Sequence, residues 1–184
     1  MEALAERYPA LARPLYSPPK PVLFSELMSY ADIAGMYFPF TVESNINTDG
    51  PFFTIPATMG HEMAHQCGFR REDEANFIAY AVCMESPRAY VRYSGTLLAL
   101  IYAGNALSEA DPAAYAAVWE TYSPAVVADL RAYNAAWEPY DGEAAEVHEQ
   151  LNDAYLKAFQ EEAGVQSYGD VADYLIAWYQ ETAA

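Results

Sequence analysis

Residues 61–65 read HEMAH. On an α-helix the imidazoles of His61 and His65 stand one turn apart on one face, so their side chains can meet at a single point. Two such nitrogens suit a tetrahedral zinc ion, each at about 2.0–2.1 Å, and Glu62, beside the first histidine, can reach a water on that ion. The chemistry this allows is hydrolysis. The metal brings the pKa of a water from about 15.7 toward ~7, and Glu62 takes its proton as general base and passes it to a leaving amine.

Two histidines need a third protein ligand. The remaining histidine of the chain, His148, lies in EAAEVHEQL among acids on a polar helix and reads as exposed. A carboxylate from RREDEAN, residues 70–76, is therefore expected. Glu72 is the preferred residue. In zinc peptidases with a glutamate third ligand, that residue often precedes an Asp or Asn by four, and Asn76 stands four after Glu72. An i+4 residue of this type can accept from the second ring nitrogen of a ligand histidine and hold its tautomer. Glu74 is the alternative; it lies roughly opposite Glu72 on a helix, so the two can hardly bind together. Asp73 reads as a solvated acid, and Arg70 and Arg71 as local partners for the neighbouring carboxylates. An oxyanion would need a donor such as Tyr90, Arg92, Tyr93 or Tyr168.

These groups work only if the surrounding elements hold them. Thr54 can cap a helix that tolerates Pro56 in its first turn and runs to Gly68. There a left-handed glycine turn sends the chain back beneath the metal. Ahead of that helix, residues 40–46 alternate, with Phe40, Val42, Ser44 and Ile46 on one side. They read as a strand at the edge of the site, able to pair with an extended peptide. The turn Asp49-Gly50-Pro51 separates strand from helix, and a short helix is expected at 25–33.

Beyond Gly68 the pattern predicts helices near 71–85, 93–108, 112–121, 124–137, 143–163 and 170–182. Asp111-Pro112 and Ser123-Pro124 are cap-then-proline starts. Tyr115, Tyr122, Tyr133, Tyr155 and Tyr174 fall at helical spacings and read as packing residues. Five prolines between positions 9 and 21 make residues 1–22 an extended arm, after a short helix at 2–8, that wraps a neighbour. Residues 23–184 then form a single domain. The fold class expected is mainly α, with a short β-strand element preceding the active-site helix.

Composition sets the outer bounds. Hydrophobic residues make up 53% of the 184 and charged residues 19%, ample for a packed core and incompatible with global disorder. Lys and Arg number 9 against 26 Asp and Glu, a net charge of −17, which repels phosphate backbones and excludes nucleic acid as a partner. Cys67 and Cys83 show no C-x-x-C spacing and read as two buried thiols; a disulfide would require their helices to form a hairpin. No run approaches 18 apolar residues, and the opening MEALAERYPALARP lacks the basic start and apolar core of a signal peptide. The chain as given is expected to be soluble.

The run HEMAHQCGFRREDEANFIAY, with PFTVESNIN before it and RYSG, DAYLKAF and SYGDVADYLIAWY after it, resembles the bacterial domain-of-unknown-function family 3810, a zincin-like group. The resemblance covers nearly the whole chain. It implies a zincin-like, gluzincin-like metallopeptidase domain with Zn2+ as cofactor and a peptide or protein as substrate. Members of that family carry several membrane helices upstream. The resemblance therefore also implies an extracytoplasmic domain of a bacterial membrane protein, touching the membrane only through segments absent from this chain. The competing reading of the same residues is a catalytically inactive, zinc-containing domain that binds a peptide or serves as a scaffold.

Overall fold

The computed structural model describes residues 1–12, 17–140 and 168–183. The fold is mainly helical with one small sheet. Its elements run α1 (Glu2–Arg7), a 3-10 turn (Pro9–Leu11), β1 (Lys20–Pro21), α2 (Ser25–Ser29), β2 (Gly35–Phe38), β3 (Glu43–Ile46), α3 (Ile55–Gln66), α4 (Glu72–Met84), α5 (Ala89–Ala110), α6 (Pro112–Trp119), α7 (Pro124–Trp137), a second 3-10 turn (Glu138–Tyr140) and α8 (Tyr168–Ala183). Among the described residues no helix is long and apolar enough to cross a membrane. The helix expected at 143–163, and His148 and Tyr155 with it, lie outside the described residues.

The helix starts follow the sequence signals. Asp111 accepts from the backbone N–H groups of Ala113 and Ala114, and Ser123 accepts from that of Val126, satisfying donors that have no partner within the helix. Thr54 occupies the cap position of α3 but turns its hydroxyl back to the Pro51 carbonyl (2.8 Å). The orphan N–H of Ala57 is met instead by the Ser94 hydroxyl of α5 (3.0 Å). Gly68 ends α3 at φ 95°, the left-handed turn its position predicts.

The sheet departs from expectation. Its order is β1-β3-β2, with β1 parallel and β2 antiparallel to β3. The single strand expected at 40–46 is therefore a turn followed by a shorter strand: residues 39–42 reverse the chain, with Val42 at φ 57°, and only Glu43–Ile46 pairs. Ser44 and Ile46 do face the core, at 0% and 2% exposure. β3 is the central strand, not an edge; the edge toward the site is β2, whose residues Gly35, Met36 and Tyr37 line the cavity beside it.

The N-terminal arm packs on its own chain. Leu4 and Leu11 are buried in a cluster with Ala64, Cys67, Ala75, Ile78 and Ala81. Gln66 ties the arm down by accepting from the Ser17 N–H (3.2 Å) and donating to the Ser17 carbonyl (2.9 Å). The same amide donates to Ser44 Oγ (2.7 Å), which in turn donates to the Glu62 carbonyl (3.1 Å). One buried side chain thus fixes arm, sheet and α3 together. Cys67 and Cys83 are both buried and form no disulfide; Cys67 lies in that cluster, and Cys83 packs beneath Gly95 of α5.

Candidate metal centre

The approach of α3 to α4 is set by small residues. Ala64, Ala75 and Ala79 are fully buried, and a Cβ placed on Gly60 would stand 3.1 Å from the Ala79 Cα. With so little between the backbones, a glutamate in the first turn of α4 reaches the imidazoles of α3. The His61 Nε2 lies 3.2 Å from Glu72 Oε2, the His65 Nε2 lies 3.7 Å from Glu72 Oε1, and the two Nε2 atoms are 3.0 Å apart.

The other ring nitrogens are spoken for. His65 Nδ1 is 2.7 Å from the Phe69 carbonyl, an oxygen that can only accept, so the proton of the neutral ring is on Nδ1 and Nε2 carries a bare lone pair. His61 Nδ1 lies 2.9 Å from Asn76 Oδ1, which assigns that ring the same tautomer. Two lone pairs and a carboxylate therefore converge, an arrangement that repels itself unless a cation or a shared proton stands among them. Donor atoms held at about 2.0–2.1 Å by a tetrahedral ion are about 3.3–3.4 Å from one another, within the 3.0–3.7 Å spread found here. The donor set fits zinc in both type and spacing.

The electrostatics carry the same tension. Burial opposes a charge on His61, but the hydrogen bond and charge of Glu72, aided by Glu62 and Asn76, outweigh it and raise its pKa. His65 is pushed down by burial and then by His61. Burial works to raise Glu72, yet its contacts with His61 and His65 hold it below the usual carboxylate range.

Glu62 is only 4% exposed, and burial lifts its pKa to about 7, with Glu72 adding to the rise and His61 and the Tyr37 backbone N–H opposing it. Its Oε2 is buried without a hydrogen-bond partner, an unusual condition for a carboxylate oxygen.

His61, Glu62, His65, Glu72 and Asn76 open onto one cavity of about 890 Å³. The structure brings Glu72 to the imidazoles and leaves Glu74 outside the cluster; the charges that act on Glu74 are those of Asp73 and Arg71. Asp73 is not solvated as its sequence neighbourhood implies. It is fully buried, because the Arg71 side chain folds over it and donates through Nε (3.0 Å) and Nη2.

None of Tyr90, Arg92 and Tyr93 lines the cavity. Tyr90 is 56% exposed and receives a hydrogen bond from Arg88, Arg92 donates to the Ser86 carbonyl (2.8 Å), and Tyr93 donates to Asp129 of α7. The side chain of Tyr168 lies outside the description. The far wall is built by α5–α7 instead, through Leu97, Leu98, Ile101, Tyr115, Trp119 and Tyr133. Tyr115, Tyr122 and Tyr133, taken from spacing as packing residues, line the cavity. Helical periodicity marks which face of α6 or α7 is apolar but not that this face borders a cavity.

The family of proteins of unknown function DUF3810 matches residues 1–176. The chain belongs to DUF3810. That span takes in every element of this DUF3810 chain from α1 to the middle of α8, and with them the whole histidine–glutamate cluster. No curated protein and no solved structure matches the DUF3810 chain.

Proposed function

We propose that this protein is a zinc-dependent peptidase. The observation that supports it most is the convergence of two bare imidazole nitrogens and a carboxylate, with the orphaned oxygen of a buried glutamate beside them. His61, His65 and Glu72 would hold the ion. Bound there, zinc supplies a Lewis acid that polarises a carbonyl and acidifies a water.

The remaining steps belong to the chain. Glu62, with a pKa near 7, is matched to taking a proton at neutral pH and returning it to a leaving amine. Its burial excludes bulk solvent from that exchange. The β2 edge lines the same cavity and offers main-chain groups along which an extended peptide can lie. Asn105, Tyr115, Tyr122, Tyr133 and Asn134 line it too. They replace Tyr90, Arg92 and Tyr93 as the candidate donors to a substrate carbonyl. The family resemblance adds the proposal that the domain works on the outer face of a bacterial membrane.

The test is elemental analysis of wild type and Glu62→Gln, followed by incubation of both with a mixed peptide library. Stoichiometric zinc in both with cleavage by wild type alone supports the peptidase. Zinc in both with cleavage in neither moves the protein to a zinc-containing peptide-binding or scaffold domain, and an absence of zinc removes both readings.

A further inference from the structure

Resting on the peptidase reading, we propose that Gly35 of β2 is a positioning residue that seats the Glu62 carboxylate at the metal centre. Glu62 has one neighbour on α3 that is a candidate ligand, His61, but nothing on α3 itself fixes where its carboxylate points. β2 does. Glu62 Oε1 and Cγ lie against the Gly35 backbone, in the space that a Cβ would take, and the backbone N–H of Tyr37 favours the charged carboxylate.

Gly35 makes the space. A Cβ at this position would stand 2.5 Å from Glu62 Oε1, 2.8 Å from Glu62 Cγ and 2.8 Å from Thr58 Cγ2. Backbone conformation does not demand glycine here: Gly68 is the glycine with positive φ among the described residues, so alanine at 35 meets a steric limit and not a torsional one. The glycine is an empty seat occupied by the Glu62 side chain. It is held in register because Gly35 pairs with Ile46 and Tyr37 with Ser44, and Ser44 donates to the carbonyl of Glu62 itself. Strand and helix are thus locked at the residue whose carboxylate β2 receives.

The experiment uses Gly35→Ala, Glu62→Asp, Thr58→Ser and the double variants Gly35→Ala/Glu62→Asp and Gly35→Ala/Thr58→Ser in the full chain. Zinc content, melting temperature of the zinc-loaded protein and peptide cleavage are measured for each. Gly35→Ala should keep its zinc, melt several degrees lower and lose at least tenfold in kcat with little change in KM. Adding Glu62→Asp, one methylene shorter, should recover more of the lost melting temperature than adding Thr58→Ser, which removes only the Cγ2 contact.

A Gly35→Ala protein that melts and cleaves like wild type overturns the proposal. So does a loss relieved by Thr58→Ser as much as or more than by Glu62→Asp, which would make Gly35 a packing residue only. If wild type itself cleaves nothing, the peptidase reading fails, and the melting temperatures of the two double variants still decide whether Gly35 seats Glu62.

Discussion

Gly60 of α3 faces Ala79 of α4 so closely that an added Cβ would meet the Ala79 Cα at 3.1 Å. This contact lies one residue before His61 and sets how far the first turn of α4 stands from the imidazoles. A side chain larger than methyl must push the helices apart. Gly60→Val is expected to destabilise the fold by about 1–3 kcal/mol through overpacking and to weaken zinc binding as Glu72 is carried away. Gly60→Ala, which needs only a few tenths of an ångström of adjustment, should do much less of both. Denaturant unfolding and zinc titration of the two variants check the order; equal zinc affinity in both would show that the crossing does not govern the site.

Asn76 orients His61 through the ring nitrogen that does not face Glu72. Removing that acceptor frees the ring to rotate and to exchange tautomers. Asn76→Ala should therefore lower zinc affinity about 10- to 100-fold, the usual cost of losing such a partner, while Asn76→Asp preserves it. Competition with a chromogenic chelator measures the change, and unaltered affinity in the alanine variant would deny Asn76 this role.

How much of this was readable in advance divides along the range of the interactions. HEMAH and Glu72-x-x-x-Asn76 carry their local geometry in the helical repeat, so the paired imidazoles and a glutamate with its orienting amide follow from spacing, but that Glu72 and not Glu74 meets the imidazoles is set by the packing of α4 on α3. The Phe69 carbonyl that holds His65 is backbone and leaves no mark in residue types. Gly35 reaches Glu62 across nearly thirty residues of chain, in a strand, β2, that residue alternation did not find. Val42 in the left-handed region hides the hairpin: a β-branched residue gives no warning of a reversal there, so the turn and β3 read as one strand and β2 leaves no signal of its own. Asp73 looks solvated among charged neighbours until the Arg71 side chain closes over it.

Cys83 is 1% exposed, and burial raises its thiol from an ordinary 9 to about 11. The folded state thus favours the neutral thiol more than the unfolded state does. The corresponding stability is complete below pH 9 and is lost as pH rises through about 11, because above 9 the unfolded chain releases a proton that the folded chain retains. Two pKa units correspond to about 2–3 kcal/mol. Unfolding free energy should fall across this window, and Cys83→Ala, whatever its own stability, should show a shallower fall. Identical slopes would mean that other groups carry the alkaline loss.

Zinc linkage separates the two glutamates of α4. If the ion binds only the folded protein, it raises stability by about 2.7 kcal/mol at a hundredfold excess over Kd, or several degrees of melting temperature in a domain of this size. Glu72 supplies an oxygen to the cluster and Glu74 does not, so Glu72→Gln should lose most of the zinc-induced shift and Glu74→Gln should keep it. Melting curves with and without zinc check the contrast; a shift abolished by Glu74→Gln instead would reverse the assignment of the third ligand.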